Sequence, residues 1–178
     1  MFRFSFVTLF AALLAAALAC GAAHAEDAPY ASRAESTPED TAAIMQLTKD
    51  FSAAIVGKNP RQLSSLLVNS GILFTSPMPA DGIKMVQEKY DVNFNGVAAG
   101  GFTQFAQFIG MSPKPVEEKF YNIKITQDAN VGWVMFDFEF LIDGKVQNYG
   151  VETWQVMKGI DGSWKILSVV WSSHFNQK

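Results

Sequence analysis

The sequence predicts an α+β fold in which helices come first and a long antiparallel meander follows. Between residues 37 and 90, apolar side chains recur at helical spacing behind helix-capping residues. From Val116 onward the period changes to two, which is typical of half-buried strands. Asp143-Gly144 is a strong signal for a two-residue hairpin turn, and residues 159–162 provide a four-residue turn. Segregated helices and strands of this kind indicate one α+β domain.

The first 25 residues have the pattern of a secretory signal peptide. Arg3 precedes a long apolar stretch, and Ala23-His24-Ala25 offers a small-x-small cleavage site just before the first acidic residues. The alternatives are a retained membrane helix and a lipoprotein acylated at Cys20, which follows Leu18-Ala19. We therefore predict an exported protein, periplasmic or secreted, that is free of the membrane after cleavage.

Residues 26–36 are small and polar and predict a flexible lead-in, so the folded domain is expected to span residues 37–178. Cleavage removes Cys20, the only cysteine, and His24, one of two histidines. The domain then lacks the residues for a disulfide, a Cys-His pair or a multi-histidine metal site, and we expect neither a metal nor a cofactor. The chain has 14 Lys and Arg against 17 Asp and Glu. Because its lysines are scattered, we expect no nucleic-acid partner.

Two capped helices are predicted at the start of the domain. Thr37-Pro38-Glu39-Asp40 combines an N-cap, a proline at the first helical position and an acid three residues after the cap. Apolar residues then follow at helical spacing until Gly57, where the helix is expected to stop. Asn59-Pro60 repeats the cap and proline ahead of a second, shorter helix.

The middle of the chain is less regular. Gly71 to Pro77 predicts a short strand, and Asp81 is expected to cap a helix that ends near Tyr90. Residues 92–112 mix glycines with phenylalanines and predict a loop followed by a short helical turn. The predicted strands of the meander are residues 117–127, 131–142, 145–158 and 163–174.

Regular antiparallel pairing through the two turns assigns the strand residues to two faces. One face is apolar with a few polar side chains near one end, a composition typical of a ligand pocket. Its predicted lining consists of Phe136, Phe138, Phe140, Tyr149, Val151, Val170, Ser172 and His174.

The opposite face is expected to carry much of the remaining aromatic surface. Such apolar area should not face water, so we predict a homodimer through Trp133, Trp154, Leu167, Val169 and Trp171. The same face holds three carboxylates, Asp137, Glu139 and Glu152. We expect Asp137 and Glu139 to point outward. The alternative is a buried general base, formed by Asp137 with Glu152 diagonal to it.

The closing segments "GVETWQV" and "GSWKI" resemble the last hairpins of the nuclear transport factor 2-like superfamily, which includes SnoaL-like polyketide cyclases and ketosteroid isomerases. The capped segment "PEDTAAIMQLTKDFSAAIVGKNPRQLSSLL" is similar to the opening helix pair of that superfamily. The resemblance implies a cystatin-like cone, in which a curved antiparallel sheet wraps around helices and encloses an apolar pocket, and it implies that dimers are common.

The resemblance does not supply a catalytic set. The sequence lacks the Asp-Arg-Asp cluster and the histidine pair that enzymes of the superfamily use, so the resemblance assigns no catalytic residues. We expect an exported domain that binds a small apolar molecule in the cone without clear catalysis. The alternative is a SnoaL-like or ketosteroid-isomerase-like enzyme, a cyclase or isomerase of a small apolar or aromatic substrate, that uses His174 or a buried acid near Tyr149.

Overall fold

A computed structural model describes residues 36–97 and 101–175 of the chain. The predicted signal peptide and residues 26–35 of the predicted lead-in lie outside this part. The helices are α1 (Pro38–Val56), α2 (Pro60–Ser65), α3 (Ala80–Lys89) and α4 (Gly101–Met111). The strands are β1 (Leu73–Thr75), β2 (Val116–Asp128), β3 (Val131–Ile142), β4 (Lys145–Lys158), β5 (Trp164–Trp171) and β6 (His174–Phe175).

Both opening helices begin as the sequence predicts. The Thr37 hydroxyl accepts a hydrogen bond from the Asp40 backbone N–H at 3.0 Å, and Pro38 occupies the first turn of α1. The Asn59 side chain accepts from the Gln62 N–H at 3.1 Å at the start of α2. Each cap satisfies a backbone donor that the helix itself leaves free. The local signals were therefore sufficient to place these helices.

The second pair of helices differs from the prediction. Helix α3 follows Pro79, and Asp81 lies inside its first turn instead of capping it. Helix α4 forms three turns where a loop and a short helical turn were expected. Phe102, Ala106 and Ile109 are buried along one side of α4. That burial outweighs the low helix propensity of the glycines at its ends, because packing contributes more to helix stability than propensity does.

The strands form one mixed sheet in the order β1-β5-β4-β3-β2, with β6 paired to β4. Strands β2 to β5 make the predicted antiparallel meander. Strand β1, in contrast, runs parallel to β5. A parallel pair needs a long crossover connection, and the connection from β1 to β5 contains α3, α4 and strands β2 to β4. The α+β class is confirmed, and the sheet is mixed rather than purely antiparallel.

A β-bulge in the hairpin between β3 and β4 changes the predicted register. The two-residue turn pairs Ile142 with Lys145 as expected. Two residues further on, however, Phe140 pairs with Asn148, so Gln147 is an extra residue in β4. Because side chains alternate along a strand, one extra residue moves the rest of β4 to the opposite face.

A second bulge lies in the hairpin between β4 and β5. The turn pairs Lys158 with Trp164, and Leu167 is the extra residue between the Val156 and Gln155 pairings. The turn is one residue longer than the predicted 159–162, and this restores the predicted face at the start of β5. The extra residues Gln147 and Leu167 therefore leave β4 after Gln147 and β5 after Leu167 with different side chains toward the helices than regular pairing predicts. We call the sheet face that packs against α1 and α4 the inner face and the opposite one the outer face.

Trp154 lies at the centre of the core between α1 and the inner face. Its side chain is fully buried, and its ring centroid lies 5.0 Å from that of Phe51 on α1. Phe136 and Phe120 complete the contact at 5.1 and 5.8 Å. Edge-to-face aromatic packing of this kind adds to the stabilisation that apolar burial provides.

A polar cluster around Asp40 ties the start of α1 to the sheet. The Asp40 carboxylate accepts from Lys158 Nζ at 2.7 Å, Trp164 Nε1 at 2.9 Å and Gln127 Nε2 at 3.0 Å. These donors, with Lys158 the strongest, hold the pKa of Asp40 well below its ordinary value. The cluster therefore favours the ionised carboxylate in the folded protein.

Asp40→Asn is expected to remove an acid-sensitive part of the stability. Since the pKa of Asp40 is lowered on folding, its contribution is present above about pH 4 and is lost as the pH falls further. Urea unfolding at pH 6 and pH 3 measures this effect. The variant should be less stable than the wild type at pH 6, and the difference should be smaller at pH 3. Asp50→Asn, on the surface of α1, is the control, and an equal loss there at pH 6 would contradict the role of the cluster.

Candidate functional site

A cavity of about 200 Å³ lies between the inner face of the sheet, β1 and α4. Helix α4 contributes Phe105 and Phe108, of which Phe108 is 43% exposed, and β1 and β5 supply one further aromatic residue each. The lining residues are Phe74, Phe105, Phe108, Glu118, Phe138, Phe140, Asn148, Glu152 and Trp171.

Five of the lining rings form a continuous series that we call the aromatic arc: Trp171, Phe74, Phe105, Phe140 and Phe108. The centroids of neighbouring rings lie 5.0 Å apart from Trp171 to Phe74 and from Phe74 to Phe105. They lie 6.3 Å apart from Phe105 to Phe140 and from Phe140 to Phe108. These contacts hold the rings against one another and give the cavity an apolar wall.

Two carboxyl groups enter this apolar wall from different strands. Glu118 lies on β2 opposite Phe140, and Glu152 lies on β4 opposite Phe136. Their side chains are only 5% and 3% exposed. Phe138 of the central strand lies between them in the sheet. The cavity therefore combines aromatic rings with two acids that are withdrawn from bulk water.

The two acids differ in their hydrogen bonding. Trp154 Nε1 donates to Glu152 Oε1 at 2.5 Å. In the described part of the chain, no side chain donates a hydrogen bond to the Glu118 carboxyl group. The Ser52 hydroxyl of α1 instead donates to the Glu118 backbone carbonyl at 2.7 Å, which fixes the strand and leaves the side chain directed into the cavity wall.

Burial changes the acidity of both groups. Loss of hydration raises the pKa of Glu152 to about 8, against the smaller opposing effect of the Trp154 N–H. Burial also raises the pKa of Glu118 well above its ordinary value, and the nearby negative charge of Glu152 raises it further. At neutral pH the pair therefore retains protons that ordinary glutamates would have lost. Such a pair can both accept and donate protons.

Asn148 is the remaining polar side chain in the cavity wall. Its Nδ2 donates to the Ser173 hydroxyl at 3.1 Å, so the amide has a fixed partner next to the short strand β6. An amide held in this way can orient a polar group of a bound molecule. The extra residue Gln147 places Asn148 here, because strand alternation without it would direct Asn148 to the outer face.

Three predicted pocket residues lie where the sequence placed them. Phe138 and Phe140 line the cavity, and Phe136 is buried on the same inner face, with 1% of its surface exposed. These residues belong to β3, whose register the bulges do not alter. Their part in ligand binding stays a prediction.

The other five predicted pocket residues lie around depressions of the outer face, and their predicted placement is wrong. Tyr149 and Val151 were moved outward by the first bulge, and Ser172 and His174 lie beside them. Val170 pairs with Thr153 and lines a second outer depression. The physical reason is the extra residue in each hairpin, which sequence alternation does not reveal.

The three carboxylates predicted on one face separate in the same way. Asp137 and Glu139 point outward as expected, where Asp137 accepts from Asn122 Nδ2 at 2.6 Å and Glu139 from the Tyr121 hydroxyl at 2.9 Å. Glu152, predicted on the same face as these two, lies inside the fold. Of the two acids in the predicted general base, Glu152 is therefore buried and Asp137 is not.

The residues predicted for the dimer face do not all lie on one surface. Trp133 and Leu167 are on the surface, with 43% and 39% of their areas exposed. Trp154 and Val169 are instead buried in the core, and Trp171 lines the cavity. Their placement was wrong because β4 and β5 alternate in the opposite sense beyond the bulges. The homodimer itself stays a prediction.

Glu118 was not identified from the sequence, although a signal for it exists. Val116, Glu118 and Phe120 share one parity on β2, and Val116 and Phe120 are apolar. An acid between two apolar residues of equal parity belongs on the buried face. This signal does not depend on the register of any hairpin and would have placed one acid in the cavity.

Comparison with known proteins identifies the fold. No family model matches the sequence, and no curated protein matches it. Solved structures do match, with TM-scores of 0.56, 0.56 and 0.54 for the three that follow. A cystatin-like protein of unknown function from Nostoc punctiforme is 14% identical over 79% of this chain and 96% of that one. A protein from Novosphingobium aromaticivorans, provisionally described as a scytalone dehydratase, is 18% identical over 77% and 85%. A nuclear transport factor 2-like protein of unknown function from Shewanella baltica is 14% identical over 79% and 99%.

These similarities confirm that the chain has the nuclear transport factor 2-like, or cystatin-like, fold. At such low identity they define the fold and not the activity. Within the described ranges, no helix has the length and apolar character needed to cross a membrane. The same residues contain no group of three or more His, Cys, Asp or Glu side chains placed to hold a metal ion.

Proposed function

We propose that this protein binds a small molecule in the cavity and moves protons to and from it with Glu118 and Glu152. The observation that supports the proposal is the burial of two carboxyl groups in one aromatic cavity whose described wall contains no basic side chain. Burying carboxyl groups costs free energy, and acids held in this way are typical of proton-transfer sites.

The chemistry that suits such a pair is an isomerisation or a dehydration. The ionised carboxylate removes a proton from carbon, and the C–H electrons form a carbon–carbon double bond. The protonated carboxyl group gives its proton either to a carbonyl oxygen, which forms an enol, or to a hydroxyl group, which leaves as water. Each carboxyl group ends in the protonation state that the other had, so the charge of the pair is conserved.

The buried acids favour catalysis over simple binding. A domain that only held a small apolar molecule would be served by the aromatic arc, and two acids in the wall would weaken that binding by the cost of their dehydration. The isomerase-like alternative from the sequence therefore gains support, with Glu118 and Glu152 in place of His174 and an acid near Tyr149. The provisional dehydratase among the structural neighbours agrees with this reaction class by analogy of fold alone.

Hydrogen exchange of ketones in D₂O tests the proposed proton transfer. Two six-membered ketones of one shape are suitable, the neutral 4,4-dimethylcyclohexanone and the cationic 1,1-dimethyl-4-oxopiperidinium. Proton NMR measures loss of the hydrogens next to the carbonyl group. We expect the wild-type protein to accelerate exchange of at least one ketone and Glu152→Gln to lower the rate by about 100-fold or more, as is usual for removal of a general base.

Glu139→Gln is the matched control, since it changes the same chemical group on the outer face of the same sheet. It should exchange both ketones as fast as the wild type. If Glu118→Gln and Glu152→Gln also retain the wild-type rate, the two carboxyl groups do not transfer protons and the proposed function is wrong.

We propose that the homodimer forms through the exposed apolar residues of the outer face. Trp133 and Leu167 are joined there by Met135 and Leu73, which are 42% and 58% exposed. A second copy of the chain is the occupant that we propose for this apolar surface. Light scattering should give a dimer mass for the wild type, and Trp133→Lys should shift it toward the monomer. A monomeric wild type would contradict the proposal.

Export is proposed on the sequence of residues 1–25. Intact-mass measurement of protein recovered from a bacterial periplasm should give a chain that begins at Glu26. A chain that begins at an acylated Cys20 would support the lipoprotein alternative instead.

A further inference from the structure

The cavity wall carries acidic groups without a compensating base. Among the described residues that line it, Glu118 from β2 and Glu152 from β4 are the titratable side chains, and the others are aromatic rings and Asn148. The neighbouring Lys119 forms a partly exposed ion pair with Glu117 at 3.7 Å and is not part of this wall. Buried acids are usually either paired with a cation or protonated. In this cavity the two acids keep their protons, and no basic side chain of the described wall pairs with them.

Glu118 is the acid with unused hydrogen-bonding capacity. Glu152 is held by the Trp154 N–H at 2.5 Å, whereas the Glu118 carboxyl group has no donor among the described side chains although it is only 5% exposed. Its oxygens are therefore open to a donor or a positive charge brought by a ligand.

The aromatic arc suits the same kind of ligand. Aromatic rings attract cations through the negative potential of their faces, and cages of such rings are a recurrent way to recognise quaternary ammonium groups. In this cavity the arc of Trp171 and the four phenylalanines shares the wall with Glu118 and Glu152. An ammonium group in the cavity would meet rings and carboxylates together.

We propose that the molecule bound in this cavity is a small organic cation, a quaternary or protonated amine, whose charge is held by Glu118 and the aromatic arc while Glu118 and Glu152 exchange protons with it. This inference rests on the proposed function and names its substrate class. The cavity of about 200 Å³ is smaller than typical ligand sites of about 300 to 1,000 Å³, so the cation is expected to have few carbon atoms.

Binding of a cation should displace a proton from the pair. At neutral pH the buried acids keep protons, and a cation stabilises the ionised form of Glu118 in their place. The affinity for a cation should therefore rise as the pH increases from 6 to 9 past the pKa of about 8 at which Glu152, the other acid of the pair, loses its proton. The affinity for a neutral molecule of the same shape should not rise, because such a molecule gains nothing from an ionised carboxylate.

Choline and 3,3-dimethylbutan-1-ol provide the test, since they differ only in a positively charged nitrogen in place of a carbon. Titration calorimetry with the wild-type protein at pH 6, 7.5 and 9 measures both. At pH 9 we expect choline to bind about tenfold or more tightly than the alcohol, in line with a desolvated cation–π contact and a charged pair. Glu118→Gln should remove that preference, and Glu139→Gln should keep it.

Equal affinity for choline and the alcohol at pH 9, or a choline affinity that Glu118→Gln does not change, would overturn the cation proposal. Thermal melting of each variant at pH 6 shows that the glutamine variants are folded. The two proposals fail differently. If the alcohol binds as well as choline while 4,4-dimethylcyclohexanone still exchanges through Glu152, the cation class is wrong and the proton-transfer function stands.

Discussion

At pH 9 the Glu152→Gln variant is expected to unfold at a higher urea concentration than the wild-type protein. In the wild type, an ionised Glu152 at this pH is buried in an aromatic cavity, 3% exposed, with a single donor from Trp154. Glutamine has nearly the same shape and keeps an oxygen that can accept that hydrogen bond, but it carries no charge to dehydrate. The variant should therefore keep the packing of the wild type and avoid the free-energy cost of dehydrating a charged carboxylate.

The pH dependence of this gain follows from the direction of the pKa change. Folding raises the pKa of Glu152 from 4.5 to about 8, so the folded protein holds a proton that the unfolded chain has lost. The stability contributed by that proton is complete below about pH 4.5 and is lost as the pH rises through 8. A tenfold change in proton affinity corresponds to about 1.4 kcal/mol, so the gain of the variant should reach roughly 3 to 5 kcal/mol at pH 9.

Urea unfolding at pH 5, 7 and 9 measures this difference. At pH 5 the variant and the wild type should be nearly equal, and the gap should widen at each higher pH. Glu118→Gln should behave in the same direction, because burial and the charge of Glu152 both raise the pKa of Glu118. Glu139→Gln on the outer face is the control without a gain. A constant difference between wild type and Glu152→Gln at all three pH values would contradict the buried-acid interpretation.

Asp40 and the cavity acids act on the stability in opposite senses. The lowered pKa of Asp40 removes stability as the pH falls below about 4, and the raised pKa values of Glu118 and Glu152 remove it as the pH rises above about 4.5. Together these groups place the greatest stability near pH 4 to 5. The two kinds of acid differ in their hydrogen bonding. Asp40 accepts hydrogen bonds from three side chains, whereas no described side chain donates one to the Glu118 carboxyl group.

The sequence predicted those parts of the fold that local residues determine. Thr37 and Asn59 cap their helices through side-chain hydrogen bonds within three residues, and the Asp143-Gly144 turn joins the strands that it was expected to join. Such signals do not depend on the rest of the chain. Helix α4, in contrast, is stabilised by burial against the sheet, which local residues do not reveal. The sequence therefore predicted only a short helical turn in its place.

The site was predicted poorly because it depends on two extra residues, Gln147 and Leu167. Neither residue is a glycine or proline, so the sequence does not mark the position of a bulge. Each extra residue moves all residues that follow it in its strand to the opposite face. Glu152 consequently entered the cavity instead of the outer face. Phe138 and Phe140 lie on β3, ahead of both extra residues, and were placed correctly.

Trp154→Phe is expected to be strongly destabilising, and more so at high pH. The indole is fully buried against Phe51, Phe120 and Phe136, so a phenylalanine leaves unfilled volume in the core. It also removes the N–H donor of Glu152. We expect a loss of about 1 to 2 kcal/mol at pH 5 from packing, and a total of about 3 to 4 kcal/mol at pH 9, where the ionised carboxylate loses a charged hydrogen bond as well.

The difference between the two pH values separates the hydrogen bond from the packing. Without the indole N–H, which lowers the pKa of Glu152, that pKa should rise further. The pH at which ketone exchange reaches half its maximum should rise with it. Trp133→Phe, which shortens a 43% exposed tryptophan on the outer face, should change the stability by less than about 0.5 kcal/mol at either pH. If Trp154→Phe lost the same stability at pH 5 and pH 9, the indole would act by packing alone, and Glu152 would be ionised or protonated independently of its donor.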